Sequence, residues 1–386
     1  VKIVIAPDSF KESLTAAHVA QAIERGVRAV MPHAKVLCVP MADGGEGTLD
    51  AVLSISGGKR MQVTVPDALG RPINAGWGWL PNKTAVIEMA SAAGLEQIAA
   101  SDRDPLRADT HGVGELLTAA LDAGAQHIVL TAGGSATNDA GAGMLRALGL
   151  KFLDGQGRAL AMGGEALGAL DRIDPSGLDP RLKDVKLTVA TDVRNPLCGP
   201  NGASAIFGPQ KGATPAMVQT LDQALARFAD LTAQVTGQDL RQAQGAGAAG
   251  GLGFAAMAWL NAQMRPGVDV VADLTQLSSH LSGADLVITG EGRMDSQTLQ
   301  GKTPWGVMQL AQNQNIPVIA IVGSLGHGYQ NLYPAGLTAA FSLTNGPIEL
   351  SEALEHAAEL LEARATDVMR LWVSATHAHA MRHSSE

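Results

Sequence analysis

Lys2–Phe10 reads KIVIAPDSF and Lys35–Thr48 reads KVLCVPMADGGEGT. These two stretches decide the fold class. Ile3, Val4 and Ile5 run without alternation, the pattern of a parallel strand covered on both faces. KVLCVP repeats that pattern. Between them Val19, Ile23, Val27 and Val30 recur at helical spacing behind Thr15, a suitable N-cap. Strand, helix and strand in that order predict a parallel sheet in an α/β domain. The end of the chain repeats the style. Asp285–Gly290 (DLVITG) and Pro317–Gly323 (PVIAIVG) are apolar runs flanking a helix expected from Pro304 to about Gln312, and Ala339–Thr344 reads as a further strand. Leu350, Leu354, Ala357, Leu361, Ala365, Val368 and Trp372 predict one last amphipathic helix.

The middle of the chain differs. Gln62–Ile98 holds Asp67-Ala-Leu-Gly-Arg-Pro72, Trp77, Trp79 and a Pro81-Asn82 turn, which predict antiparallel hairpins. A helix over about 113–123 then precedes strands at His127–Thr131 and Lys186–Thr191. Residues 61–284 therefore read as a second α/β domain inserted into a doubly wound one, whose halves are 1–60 and 285–386.

Composition bounds the function. Of 386 residues, 46% are hydrophobic and 17% charged, so the chain is globular rather than disordered. Aromatics are only 3% while glycine reaches 45 residues, so the core is aliphatic and the loops are tight. A net charge of -9 argues against a nucleic-acid partner but permits anionic small substrates in a locally positive cleft. Cys38 and Cys198 form no CxxC and predict free thiols in a reducing, cytoplasmic compartment. The first apolar run is too short for a signal peptide, and no run of 18 apolar residues would span a membrane. Three terminal histidines, His377, His379 and His383, suit adventitious nickel binding or simply a frayed end.

Five glycine-rich loops carry the chemical signal: DGGEGT (43–48), GGSATNDAGAG (133–143), FGPQKGA (207–213), GAGAAGGLG (245–253) and TGEGRMD (289–295). Glycine lets successive N–H groups converge on an anion, so a phosphate or carboxylate site is expected; tight packing is the competing explanation. Gly245, Gly247 and Gly250 have the letters of a dinucleotide fingerprint, but the polar GQDLRQAQ before them is not a strand, which argues against a nicotinamide-dependent hydroxy-acid dehydrogenase. Ser296–Thr303 resembles a Walker A loop without its first glycine and is not one. Asp8, Asp43, Asp192 and Glu291 follow apolar runs, which in an open α/β sheet brings them to the carboxyl edge where ligands bind. Helix capping is the alternative for each.

Seven spaced segments together resemble the type I glycerate kinases of bacteria: APDSFKES (6–13), ADGGEGT (42–48), GGSAT (133–137), ATDVRNPL (190–197), FGPQKGA (207–213), GAGAAGG (245–251) and ITGEGR (288–293). Where the family has glycine after Thr-x-Asp, this chain has Ala140. The resemblance implies a flavodoxin-like, Rossmann-like domain with a second α/β domain inserted. It implies ATP-dependent phosphorylation of D-glycerate, at the 2-hydroxyl, in sugar-acid and glyoxylate catabolism; 3-phosphoglycerate and a non-catalytic anion-binding protein are the alternatives. Roles follow as expectations. Gly133, Gly134, Ser135, Thr137, Gly245, Gly247 and Gly250 would cradle ATP phosphates, helped by Lys211 and Lys302. Asp43 and Glu46 would hold Mg²⁺. Asp8, Ser9, Lys11, Arg194 and Arg293 would meet the glycerate or the transferred group, and Asp192 would accept the hydroxyl proton.

Overall fold

A computed structural model describes the backbone of residues 1–383 and the side chains of 1–376, so His377, His379 and His383 lie outside the described side chains. The chain divides into two compact units. The first comprises Val1–Asp43, Asp50–Ser56 and Val268–Glu386, and the second Gly44–Leu49 and Gly57–Gly267.

In the first unit five strands pair in the order Leu337–Ser342, Val318–Val322, Leu286–Thr289, Lys2–Ile5 and Lys35–Cys38, all parallel. Counted along the chain this is 2-1-3-4-5, the flavodoxin-like winding. Its direction reverses between Lys2–Ile5 and Leu286–Thr289, where Ile3 lies opposite Leu286 and Ile5 opposite Ile288. The missing alternation has its cause in cover on both faces. Ile3, Ile5, Leu286, Ile288, Ile319 and Ile321 face a core shared with Val19, Ile23, Val27, Leu361 and Val368. The helix Thr303–Gln312 packs on the sheet as well, burying Val307 and Met308. Helix Ala16–Val30 starts where Thr15 Oγ1 accepts the His18 N–H. It meets the helix Ala357–His383 so closely at Gly26 that an added Cβ would stand 2.4 Å from the Glu362 carbonyl oxygen.

Two sequence expectations are corrected here. The last helix is two, Leu350–Glu355 and Ala357–His383, parted at His356 (φ -100°, ψ 16°); Leu350, 73% exposed, belongs to no buried stripe. The regular strand at Lys35 ends at Cys38, although Val39 N–H and Met41 N–H still donate to the Ile5 and Pro7 carbonyls. Residues 268–284, with the helices Gly267–Leu274 and Leu277–Leu281, group with the chain ends.

The second unit holds a six-stranded sheet in the order Gln263–Arg265, Lys186–Ala190, His127–Thr131, Thr84–Glu88, Pro72–Trp79 and Lys59–Pro66. The first four run parallel and the last two antiparallel. Asp67 closes the hairpin, its buried carboxylate accepting the Leu69 and Arg71 N–H groups and Arg71 Nε. In both units parallel strands deliver the loops that follow them to one edge of the sheet.

Candidate active site

At the carboxyl edge of the first unit, Asp8 follows Lys2–Ile5 beside the switch point, its N–H donating to the Gly290 carbonyl. Asp8 Oδ1 accepts Ser9 N–H at 2.6 Å, and Oδ2 accepts the Thr303 hydroxyl at 2.5 Å. Burial, and then the negative charge of Asp43, push the Asp8 carboxyl up to about 7 against the pull of those bonds. Glu291, 6% exposed, accepts the Thr298 hydroxyl at 2.6 Å and lies 3.4 Å from Lys302 Nζ. Burial raises its carboxyl, and Thr298 and Lys302 oppose the rise. Lys302 stands immediately before the helix Thr303–Gln312, after the short 3₁₀ turn Ser296–Gln300 that Asp295 and Thr298 cap reciprocally. That turn is why the segment is no Walker A loop: a capped 3₁₀ turn stands where a phosphate loop would run. Arg293 lies on the surface, 3.4 Å from Asp295, and Lys11 is exposed on the turn after Phe10.

At the edge of the second unit, the loop 44–49 is fixed by three contacts. Leu49 N–H donates to Glu88 Oε1 at 2.9 Å, and the Thr48 hydroxyl donates to the Gly45 carbonyl. A Cβ on Gly133 would stand 2.8 Å from Gly45 Cα, so the 44–49 and 133–134 loops touch backbone to backbone. Glu46 is exposed on that loop, in a different unit from Asp43. Asp192 and Arg194 follow Lys186–Ala190 and are exposed, with Asp192 Oδ1 accepting Gly267 N–H at 3.2 Å. Among the described residues no three His, Cys, Asp or Glu side chains group as a metal site.

Lys211 is the surprise. Although its side chain is the most water-loving in the FGPQKGA loop, it is 2% exposed and lies under the glycine loop. Its Nζ donates to Ser135 Oγ at 2.9 Å and to the Thr137 carbonyl at 2.6 Å. Burial pulls the ammonium down to about 7, and nearby Asp139 counters it. Asp139 is itself fully buried; burial and then Asp109 raise it to about 6. Its oxygens accept Thr110 N–H and Oγ1–H, Gly141 N–H and Gly143 N–H, so it ties down the turn that ends the loop. Sequence reasoning did not place Asp139 or Thr110 among site residues, and only the resemblance pointed at Asp139.

The 245–253 segment packs closely on protein backbone. Ala249, Gly250 and Gly251 are consecutively left-handed, and a Cβ on Gly250 would lie 2.0 Å from the Thr137 carbonyl oxygen. A Cβ on Gly247 would lie 2.3 Å from the Pro196 carbonyl oxygen, and Gly250 O accepts Ala140 N–H at 2.9 Å. Gly250 thus backs the 137–141 turn, while Gly247 packs on the backbone of residues 195–196. The element directly before the segment is the helix Pro215–Thr236.

Comparison with known proteins gives one answer. A profile described as "Glycerate kinase family" matches residues 3–373. The chain is 49% identical over 369 residues to a glycerate kinase of Bacillus subtilis (strain 168), covering 95% of this chain and 97% of that one. It is 49% identical over 358 residues to the glycerate 2-kinase of Escherichia coli (strain K12), covering 92% and 94%. A crystal structure from Salmonella typhimurium LT2, whose description names glycerate kinase 2, superposes with a TM-score of 0.89 at 48% identity over 98% of this chain and 99% of that one. The chain therefore belongs to the glycerate kinase family and is a phosphotransferase.

Proposed function

We propose that this protein transfers the γ-phosphoryl group of ATP to the 2-hydroxyl of D-glycerate, with Mg²⁺, in sugar-acid and glyoxylate catabolism in the cytoplasm. The observation that carries the reading is the buried Lys211 ammonium under Ser135 and Thr137, because a cation beneath a glycine loop creates a place for a phosphate. Gly133 and Gly134 bring N–H groups to that loop, and Gly250 supports it from behind at the Thr137 carbonyl.

In the transfer the hydroxyl oxygen bonds to phosphorus as the bond to the bridging oxygen of ADP breaks. The hydroxyl proton passes to Asp192, an exposed carboxylate steadied by Gly267 N–H. In a loose transition state the proton leaves late, so a carboxylate suffices as acceptor. Lys11 and Arg194 are assigned the glycerate carboxylate, with Ser9 as a neutral donor. Arg293 and Lys302 are further cations for phosphate oxygens, and Glu291 orients Lys302.

The chemistry of one pair of side chains fits Mg²⁺. Burial first and the charge of Asp43 second raise Asp8, and a divalent cation beside both carboxylates would relieve that repulsion. Mg²⁺ takes one or two carboxylates and completes its shell with phosphate oxygens and water, so no dedicated cage of three ligands is required. Bound, it would neutralise phosphate charge.

Phosphorus NMR of the product from ATP, D-glycerate and Mg²⁺ tests all of this. The expected product is 2-phosphoglycerate. A 3-phosphoglycerate signal would overturn the regiochemistry, no consumption of ATP the nucleotide, and full activity in excess EDTA the metal.

A further inference from the structure

Three loops of the second unit converge around Lys211. The 94–95 segment meets the glycine loop through a Gly94–Ser135 bridge and a Leu95 N–H bond to the Gly134 carbonyl. Lys211 ties its own loop to Ser135 and Thr137. Arg103, a few residues after Leu95, lies along the Lys211 turn on both sides: Nη1 donates to the Gln210 carbonyl at 3.4 Å, and a Cβ on Gly212 would touch Arg103 Cβ at 3.5 Å. The same turn thus carries two cations.

Their donors are not used up. Arg103 Nε is buried and has no acceptor, and the Thr137 hydroxyl, on a fully buried residue, has no partner. Lys211 has three N–H bonds and two protein acceptors. Asn138, next in the chain, donates Nδ2 to Ser204 Oγ at 2.7 Å and leaves its Oδ1 buried without a donor. Buried donors in native proteins are nearly always satisfied, so three incompletely used ones around one turn call for several acceptor oxygens, of which Asn138 Oδ1 is only one. A positively charged set of a guanidinium, an ammonium and a hydroxyl matches the several oxygens of a phosphoryl group, and an arginine offers directional N–H bonds to them.

We propose that Arg103, Lys211 and the Thr137 hydroxyl form a receptor for one phosphoryl group, with Arg103 as a binding residue that neither composition nor glycine pattern marked. This rests on the kinase reading above and deepens it. The group belongs either to the nucleotide or to the phosphorylated product, and the two sources are separable.

The test is calorimetric titration of the full chain with a non-hydrolysable ATP analogue, 2-phosphoglycerate, inorganic phosphate and adenosine, using wild type, Arg103→Met, Arg103→Lys and Thr137→Val. Loss of charge-assisted bonds in Arg103→Met should weaken the analogue about 10- to 100-fold and leave adenosine unchanged. Arg103→Lys, which keeps charge without Nε–H, should fall between, and it reads the same effect if the Met variant does not fold. Weakening confined to 2-phosphoglycerate would support the receptor and assign it to the product. Equal affinity of wild type and both Arg103 variants for every probe overturns it, as does an equal loss for adenosine, or no binding of any phosphate compound by wild type. Wild-type turnover measured alongside separates the two claims. Unchanged affinities in an active enzyme sink the receptor alone; phosphate binding that needs Arg103 in an enzyme without ATP turnover sinks the kinase reading alone.

Discussion

Replacing Lys211 by Met should separate substrate binding from stability. Methionine is close to lysine in length, and the site is 2% exposed, so the packing shape survives. Two hydrogen bonds disappear, at 2.9 Å and 2.6 Å. The Ser135 hydroxyl loses only an incoming bond, whereas the Thr137 carbonyl is left without this donor, at a cost of about 1–3 kcal/mol. Against this, an ammonium no longer has to be withdrawn from water, a penalty of several kcal/mol per ion, roughly. Part of that relief is returned because Asp139 loses a neighbouring positive charge. The opposing effects nearly cancel. We expect a Tm within about 5 °C of wild type and a kcat/KM at least about 100-fold lower, the usual scale for removing a preorganised electrostatic group. A pH series sharpens the test. Folding lowers the Lys211 pKa from 10.5 to about 7, so between those values the unfolded chain binds more protons than the native one. The destabilisation from Lys211 is therefore fully present below about 7 and is relieved as pH rises toward 10.5, with a slope of at most about 1.4 kcal/mol per unit. The Met variant lacks this relief. Urea melts at several pH values should show its stability relative to wild type declining from neutral to alkaline pH. A relative stability that climbs with pH, or a near-native kcat/KM, would refute the reasoning.

Asp192→Asn should lower kcat at least about tenfold with little change in Tm, because the amide still accepts Gly267 N–H but takes no proton; a near-native kcat in steady-state assays would move the proton acceptor elsewhere. Gly250→Ala should destabilise by about 2–5 kcal/mol in urea melts, since its Cβ meets the Thr137 carbonyl oxygen at 2.0 Å and φ is +68°. Ala140→Gly relieves a left-handed residue at φ +51° and should change stability by no more than about 1 kcal/mol, toward gain, with activity kept. Burial pushes the Cys38 and Cys198 thiols up to about 12, so neither should react with iodoacetamide at pH 8 while the protein is native, by mass spectrometry, and the double Ser variant should stay active.

The parallel core was legible because the runs at 3–5, 286–288 and 318–322 have no polar face, a pattern that depends only on cover from both sides. Asp8 and Glu291 were legible for a related reason: a strand of known direction fixes which edge its next residue reaches. What stayed hidden depends on approach between distant segments. Nothing local distinguishes Gly250, pressed on the Thr137 carbonyl, from a glycine open to phosphate. A lysine between Gln210 and Gly212 looks solvated, yet Lys211 is buried because Ser135 and Thr137 arrive from more than seventy residues away. Arg103 sits in a loop with no glycine pattern at all. The break at His356 was masked by apolar spacing that continues straight across it.

The pairing of Ile3 with Leu286 has a consequence for how the chain is made. Lys2–Ile5 is synthesised well before its inner neighbour, Leu286–Thr289, which emerges only after the whole of Gly57–Gly267. At ~5–20 residues per second the wait is on the order of tens of seconds. During that time Ile3, Val4 and Ile5, all fully buried in the finished protein, have Lys35–Cys38 on one side and an unpaired edge on the other. Such an edge is a template for pairing with another nascent chain, so delay rather than weak packing is the hazard for this sheet. Slow translation through Gly57–Gly267 should raise the aggregated fraction without altering the stability of the molecules that reach the native state.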